Sequence, residues 1–255
     1  MGIQLKSPRE IELMRQAGNV VSQVFIEIKR FIVPGVDTAK IASIAEKVIR
    51  KHGATPTFLN YEGYPGAICI SVNDVMVHGI PSKTVVLKSG DIVSLDVGAT
   101  LNGYVGDACR TFLVGECSEV AKKIVEVTEK SFFEGVSIVK PGIHLGDVSA
   151  RIQEFIEQNG FSVNRQYTGH GVGTHLHEDP IIPNYGKAGT GVILVEGMCL
   201  AIEPMVCEGK PEVEILEDGW TARTIDGKLS SHYENTIAVT KDGFEILTLS
   251  DGERR

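Results

Sequence analysis

Apolar residues recur at helical spacing in four stretches of the chain, and glycine or proline marks their ends. The first stretch opens with Ser7, proline next and Glu10 three positions on, which is the pattern of a capping box with proline at the first helical position. Two others end near a glycine, the preferred residue just after a helix. The predicted helices cover residues 7–32, 34–53, 118–138 and 141–160.

Runs of apolar residues between and after these helices predict β-strands at residues 67–72, 91–100, 104–114, 198–206 and 231–239. Asn102 and Gly103 separate two of them and give a strong signal for a two-residue hairpin turn. If they form the turn, Gly98 faces Asp107. Asp96, two residues before Gly98, then shares a sheet face with Asp107 at a diagonal separation of roughly 7–8 Å.

The chain also repeats itself at an offset of 107 residues. The Pro-Gly start and glycine end of the stretch 34–53 recur at 141–160, and the segment 90–96 aligns with 197–203. Asp96 and Glu203 therefore hold equivalent positions. We predict a single α+β domain over residues 1–255, built of two related halves (about 1–115 and 116–255). The halves are expected to share a continuous antiparallel sheet with helices covering one face.

Composition narrows the function classes. With 255 residues, 42% of them hydrophobic, the chain can bury an ample core. The net charge of -8 and the lack of a Lys/Arg cluster argue against nucleic-acid binding. Five cysteines without a CxxC pair argue against a disulfide framework or zinc ribbon and fit a reducing cytoplasm. No apolar run has the length needed to span a membrane.

The candidate chemistry lies in four acidic residues and one histidine, each set among glycine or apolar residues: Asp96, Asp107, His170, Glu203 and Glu234. Acidic side chains in such surroundings are costly to bury unless something compensates them, and a metal centre is the economical candidate. Taken singly, each residue also fits a solvated strand, a glycine-rich turn or a salt bridge. One histidine with four carboxylates disfavours a two-histidine, one-carboxylate oxygenase.

Other histidines lie near these residues in the sequence. His177 follows the Gly-His-Gly segment at 169–171 and could donate a hydrogen bond to a substrate carbonyl or a developing oxyanion. His175 alternates with it and is expected at the surface. By the same alternation, His232 and Thr236 share a face with Glu234.

Together these segments resemble the type I methionine aminopeptidases, in their bacterial form, of peptidase family M24. The resemblance covers essentially the whole chain. It is carried by Val-His-Gly-Ile-Pro at 77–81, Ser-Leu-Asp-Val-Gly at 94–98, Gly-Asp at 106–107, Gly-His-Gly-Val-Gly at 169–173, His-Glu-Asp-Pro at 177–180, Ile-Glu-Pro-Met at 202–205 and Tyr-Glu-Asn-Thr at 233–236. It implies the pseudo-twofold "pita-bread" fold of creatinase and the aminopeptidases. The implied activity removes the initiator methionine of nascent proteins and peptides by attack of a metal-activated water on the first peptide bond.

The resemblance also implies two divalent ions, with Mn, Fe(II), Co, Zn and Ni as candidates. One would be held by His170 and Glu203 and the other by Asp96, while Asp107 and Glu234 would bridge both. Glu203 would also shuttle a proton.

The family's catalytic histidine beside the scissile amide maps onto His78. The family's methionine pocket maps onto Tyr61, Tyr64, Cys69, Leu176 and Trp220. Position 176 is often aromatic in relatives, and Phe58 stands where some relatives have cysteine, so the pocket's shape departs from the family pattern. A monovalent-cation site of backbone carbonyls would map near Asn73, Val75 and Ser230.

The implied substrates are peptides and nascent chains with N-terminal methionine. We expect a cytoplasmic monomer that binds neither nucleic acid nor membrane, and contact with the ribosome stays open. One alternative is a proline-specific peptidase of the same fold, although such relatives usually carry an additional N-terminal domain, and this sequence begins directly with the first helix of the repeat. The other is a partner-binding pseudoenzyme, which would be expected to lose ligands that are all present here.

Overall fold

The computed structural model describes residues 2–249; Met1 and residues 250–255, the ends of the predicted 1–255 domain, lie outside the described residues. The helices are α1 (Pro8–Ile28), α2 (Thr38–Lys51), α3 (Glu119–Val136) and α4 (Leu145–Gln158), with short 3-10 helices at Lys29–Phe31 and Tyr61–Gly63. The strands are β1 (Thr55–Pro56), β2 (Cys69–Val72), β3 (Val75–Val77), β4 (Ile92–Leu101), β5 (Tyr104–Leu113), β6 (Ser162–Val163), β7 (Gly169–Gly171), β8 (Glu178–Ile182), β9 (Cys199–Ile202), β10 (Met205–Cys207), β11 (Val213–Ile215), β12 (Ala222–Thr224), β13 (Ser230–His232), β14 (Asn235–Thr240) and β15 (Gly243–Ile246).

The helices confirm the sequence patterns. Ser7 and Glu10 form the predicted capping box at the start of α1. This helix ends at Ile28, and one 3-10 turn carries the chain to Phe31, so the predicted end near residue 32 was a few residues late. The helices α2 and α4 each contain 14 residues and begin 107 residues apart, as the repeat predicted, but each starts four residues after the predicted position.

The hairpin also forms as predicted. The strands β4 and β5 pair without a bulge, and Gly98 lies opposite Asp107. The turn residues Asn102 and Gly103 have φ angles of 51° and 81°, the left-handed values that a tight two-residue turn requires. The relation between Asp96 and Asp107 is therefore fixed by backbone register.

The prediction of one continuous sheet is wrong, because the strands of residues 2–249 form four sheets. The predicted strand 198–206 is divided into β9 and β10 at Glu203 and Pro204, where proline has no N–H for a ladder. The predicted strand 231–239 is divided into β13 and β14 at Tyr233 and Glu234. Reciprocal backbone hydrogen bonds between Glu234 and Cys109 link the second half to β5 of the first.

Each half has its own apolar core. Val21 of α1, Ile41 of α2 and Leu95 of β4 belong to one, and Ile152 of α4 and Leu200 of β9 belong to the other. All five cysteines are buried free thiols. None of the helices within residues 2–249 combines the length and apolar character needed to cross a bilayer.

Candidate metal centre and active-site cleft

The first-half hairpin presents the two aspartates on one face. Asp107 is buried and Asp96 is partly buried, and the Oδ1 atom of each carboxylate is buried without a hydrogen-bond partner. Glycine is needed opposite Asp107, since a Cβ on Gly98 would lie 2.6 Å from the ring of Phe58. The ladder thus positions two carboxylates that have bare oxygen atoms.

His170 reaches the same region from the middle of β7. Its Nδ1–H donates to the carbonyl oxygen of Gly171 at 2.9 Å, which leaves a lone pair on Nε2. That Nε2 lies 3.7 Å from Oδ2 of Asp107 and 3.6 Å from Oε1 of Glu203. A Cβ on Gly169 would lie 2.3 Å from a carbonyl oxygen of β9, so glycine permits the close packing of this strand.

Both glutamates lie where a strand is interrupted. Glu203 follows β9, and Glu234 lies between β13 and β14. The N–H of Glu234 donates to the Cys109 carbonyl oxygen at 3.0 Å, and the Cys109 N–H donates back at 3.3 Å. The side chain of Glu234 is buried, and its Oε1 has no hydrogen-bond partner. The structure therefore brings second-half glutamates to the first-half aspartates.

The five predicted residues converge. One donor atom each of Asp107, His170 and Glu234 lies within 4.8 Å of the other two. The carboxylate of Asp96 interacts electrostatically with those of Asp107 and Glu203. The five predicted residues thus bring together four carboxylates and one imidazole from both halves.

His232 also belongs to this cluster, and the sequence did not single it out. Its Nε2 lies 3.4 Å from Oε2 of Glu203 and 3.9 Å from Oε2 of Glu234. The only signal for it was alternation with Glu234. That signal does not distinguish it from Thr236, whose hydroxyl instead donates to the backbone carbonyl of Asp107 at 2.9 Å.

The cluster is electrostatically unfavourable without added positive charge. Burial raises the pKa of Asp96 to about 7 and lifts the pKa values of Asp107, Glu203 and Glu234 well above their ordinary range; carboxylate repulsion adds to the rise at three of them. Burial lowers the pKa of His170 to about 3, so its imidazole is neutral at neutral pH. Carboxylates with a neutral imidazole form a donor set that suits divalent cations.

A cleft of about 620 Å³ opens onto the cluster, and His78 lies in its wall directly after β3. His78 has a φ of 59°, which residues other than glycine seldom adopt. Its ring packs edge-on against Tyr167 at 5.3 Å and Trp220 at 6.3 Å. Burial lowers the pKa of His78 to about 4, with His232 and His177 adding to the effect. The ring is therefore neutral and firmly held.

His177 lines the cleft as well. Its ring meets that of His170 edge-on at 4.4 Å, and its Nδ1 shares a 2.9 Å hydrogen bond with the hydroxyl of Tyr61. Desolvation lowers the pKa of His177. His175 lies at the rim with 68% of its side chain exposed, as predicted.

The residues predicted for the methionine pocket all line this cleft: Tyr61, Tyr64, Cys69, Leu176 and Trp220. The hydroxyl of Tyr64 donates to the Gly79 carbonyl oxygen at 2.8 Å, and its ring packs edge-on against Trp220 at 5.3 Å. Cys69 lies directly opposite Asp96 in the β2–β4 ladder. This mostly apolar wall therefore adjoins the carboxylates.

Two of the residues predicted for the monovalent-cation site, Asn73 and Ser230, are in contact. The N–H of Ser230 donates to the carbonyl oxygen of Asn73 at 2.9 Å, and the Ser230 hydroxyl donates to the same oxygen at 3.1 Å. Val75 begins β3, two residues after Asn73. This cation site stays a prediction.

Known proteins share this sequence and fold. Residues 12–241 match metallopeptidase family M24. Methionine aminopeptidase 1 of Bacillus subtilis is 51% identical over 243 residues, which cover 95% of this chain and 98% of the relative. The crystal structure of methionine aminopeptidase from Thermotoga maritima superposes with a TM-score of 0.96 at 50% identity, over 98% of this chain and 100% of that one.

Proline-specific relatives are more distant. The prolidase from Pyrococcus furiosus superposes with a TM-score of 0.79 at 25% identity, over 97% of this chain but 66% of the prolidase. The pita-bread class is thereby confirmed, since the same fold is common to both groups. Family M24 is a family of metallopeptidases, and metal binding would account for the buried carboxylates. The chain is a member of metallopeptidase family M24 and, within that family, belongs with the methionine aminopeptidases.

Proposed function

We propose that this protein removes the initiator methionine from nascent proteins and peptides, with divalent metal bound at the carboxylate cluster. The spacing of the donor atoms carries the proposal. His170 Nε2 lies 3.6 Å from a Glu203 oxygen and 3.7 Å from an Asp107 oxygen. Ligands about 2.1 Å from one ion, at angles of about 90–110°, lie roughly 3.0–3.4 Å apart. The observed contacts are too long for hydrogen bonds but close to this spacing.

The donor set fits two ions. In the arrangement we propose, His170 and Glu203 would hold one ion, Asp96 would hold the other, and Asp107 and Glu234 would be shared by both. The buried, unpaired oxygen atoms on Asp96, Asp107 and Glu234 support this arrangement, because such atoms normally have a partner. Carboxylate-rich ligation favours Mn²⁺ or Fe²⁺, while the imidazole also suits Co²⁺, Ni²⁺ and Zn²⁺.

When bound, such ions supply an acidified water as the nucleophile and polarise the carbonyl group of the scissile bond. The protein's own groups move protons and hold the substrate. Glu203 takes the proton of the attacking water and passes it to the leaving amine. His78 and His177 donate hydrogen bonds toward the carbonyl oxygen, where negative charge develops. Their lowered pKa values keep both rings neutral at neutral pH.

The cleft wall selects the side chain. Tyr64, Cys69, Leu176 and Trp220 offer an apolar surface with one polarisable sulfur atom, which suits a methionine thioether. Because Cys69 pairs with Asp96 in the ladder, a side chain bound there places its peptide bond at the carboxylates.

We further propose that the enzyme acts on its substrates as a cytoplasmic monomer. Contact with the ribosome is a separate part of the proposal, which co-sedimentation with ribosomes would test.

The test is methionine release by chelator-stripped protein reloaded with Mn²⁺, Fe²⁺ or Co²⁺. Peptides beginning Met-Ala and Met-Gly should release methionine, matched peptides beginning Leu-Ala should not, and excess chelator should abolish the reaction. His175→Ala is the matched control variant, because this exposed rim histidine has no assigned role. Failure to release methionine with every metal would refute the proposal. Faster cleavage of Xaa-Pro peptides would favour a proline-specific peptidase instead.

A further inference from the structure

The imidazole of His232 lies among the carboxylates, and the five proposed ligands leave it without a role. We propose that His232 is a further metal-ligating residue, whose Nε2 binds the ion held by Glu203. The inference rests on the metal centre of the proposed function and adds a second nitrogen ligand to it.

The backbone of His232 is held from both sides. It is the last residue of β13, where it pairs with Met205 of β10. Its N–H donates to the hydroxyl oxygen of Thr111 at 3.1 Å, and that hydroxyl donates to its carbonyl oxygen at 2.8 Å. The side chain is 2% exposed. Because Thr111 lies on β5 of the other half, both halves fix the direction of this imidazole.

The Nε2 atom of His232 has the surroundings of a ligand atom. It is buried and has no hydrogen-bond partner. It lies 3.4 Å from Oε2 of Glu203, which matches the roughly 3.0–3.4 Å between two ligands of one ion. One donor atom each of His232, Glu203 and Glu234 lies within 4.8 Å of the other two.

Glu203 consequently has an imidazole at each oxygen atom. His170 faces Oε1 at 3.6 Å, and His232 faces Oε2 at 3.4 Å. If His232 only oriented Glu203, it would donate a hydrogen bond to that carboxylate, and the structure contains no such bond at this buried nitrogen. A second imidazole should raise affinity for Co²⁺, Ni²⁺ and Zn²⁺ relative to Mn²⁺.

The experiment counts imidazole ligands on the bound metal. Chelator-stripped protein is reloaded with Co²⁺ alone and measured by X-ray absorption, where imidazole rings give a distinct outer-shell signal. Wild-type protein should show two imidazoles for the metal centre. His232→Gln, which keeps a side-chain donor of similar size, should lose one, and its Co²⁺ affinity should fall by at least about tenfold. His170→Gln should also lose one, and His175→Ala should lose none.

One imidazole in wild-type protein, unchanged in His232→Gln, would overturn the inference even if methionine release fell, since His232 would then act by positioning Glu203. The wild-type count, repeated as imidazole N–H signals in the NMR spectrum of the Co²⁺ protein, decides the matter if the variant does not fold. Two imidazoles on a protein that releases no methionine would support this inference while refuting the proposed function. Absence of any metal binding would overturn both.

Discussion

The two halves of the molecule position their acidic residues by different means. In the first half, Asp96 and Asp107 lie inside two ten-residue strands that pair without interruption. In the second half, Glu203 and Glu234 lie where the backbone leaves its strands. Asp96 and Glu203, which hold equivalent positions in the repeat, thus place the shorter side chain within a regular ladder and the longer one at a strand break.

The difference shows what fixes the position of each pair of carboxylates. The aspartates depend on strand register, which a two-residue turn sets. The glutamates depend on contacts between the halves, such as the paired backbone hydrogen bonds of Glu234 with Cys109. The second half also contributes two imidazoles to the cluster, that of His170 from the middle of β7 and that of His232 from the end of β13. The positions of the glutamates at strand breaks depend on contacts with distant parts of the chain, whereas the positions of the aspartates depend only on the pairing of two neighbouring strands.

The largest expected effect is on metal binding, and it differs between the two first-half aspartates. Asp107→Asn should prevent stable binding of both ions, because the proposed bridge serves both, and should lower kcat/KM by at least about a hundredfold, the loss expected from several kcal/mol of charge stabilisation. Asp96→Asn should lose one ion and keep the one at His170 and Glu203. Metal content after gel filtration and titration calorimetry measure both effects. Loss of a single ion from Asp107→Asn would make that residue a terminal ligand.

The next effect compares one cleft histidine from each half. His78→Ala should lower kcat by roughly a hundredfold to a thousandfold, the usual loss for one oxyanion donor, while metal content stays normal. His78 is partly buried, whereas His177 is exposed, so His177→Ala should cost less. His175→Ala is the control. Loss of metal from His78→Ala would contradict its assignment as a group that acts on substrate.

Local signals predicted the first half well. The capping box of α1, the Asn102-Gly103 turn and the facing of Gly98 and Asp107 depend on residues close together in sequence, and all three are confirmed. The repeat predicted the matching lengths and spacing of α2 and α4. The resemblance located five of the six residues that the structure brings together in the cluster, all except His232.

The sequence predicted the second half less well because its decisive features are not local. Apolar residues on both sides of Glu203 and Glu234 predicted continuous strands, although Pro204 indicated one of the two breaks. Division into four sheets depends on pairing between distant segments, which periodicity does not encode. The sequence placed His232 on the same face as Glu234 but gave it no role, because its contact with Glu203 arises only when β13 pairs with β10.

A smaller effect concerns the free energy of unfolding. Metal bound by carboxylates of both halves should stabilise the folded protein. Burial raises the pKa values of Asp107, Glu203 and Glu234, so the metal-free folded protein binds more protons than the unfolded chain. The stability they contribute is fully present below their unfolded pKa values near 4 and is lost as pH rises through the folded values. Metal replaces these protons. At about 100 times Kd it should add about 2.7 kcal/mol, or roughly 5–10 °C in Tm.

That rise in Tm should be larger at about pH 8 than at about pH 5.5, because fewer protons compete for the carboxylates at high pH. Comparing metal-bound with metal-free protein at each pH cancels the titration of groups elsewhere. Asp107→Asn should show little metal-dependent rise. An equal rise at both pH values would mean that metal binds away from the carboxylate cluster.

The smallest effect tests the turn that sets the first-half register. Gly103→Ala should lower the free energy of unfolding by about 1 kcal/mol, because Gly103 has a φ of 81°, a conformation that costs a residue with a Cβ roughly 1–2 kcal/mol. The new methyl group meets nothing within 4 Å, so only backbone strain is tested. Gly186→Ala is the matched control. Gly186 has no positive φ, and a Cβ there would make only an ordinary 3.5 Å contact with Ser149. If the ladder holds its register, the variant keeps both ions and its methionine release, and urea unfolding alone reports the change. Loss of metal from Gly103→Ala would instead show that one strained turn shifts Asp96 relative to Asp107, and that the first half depends on its turn as much as the second depends on contacts between the halves.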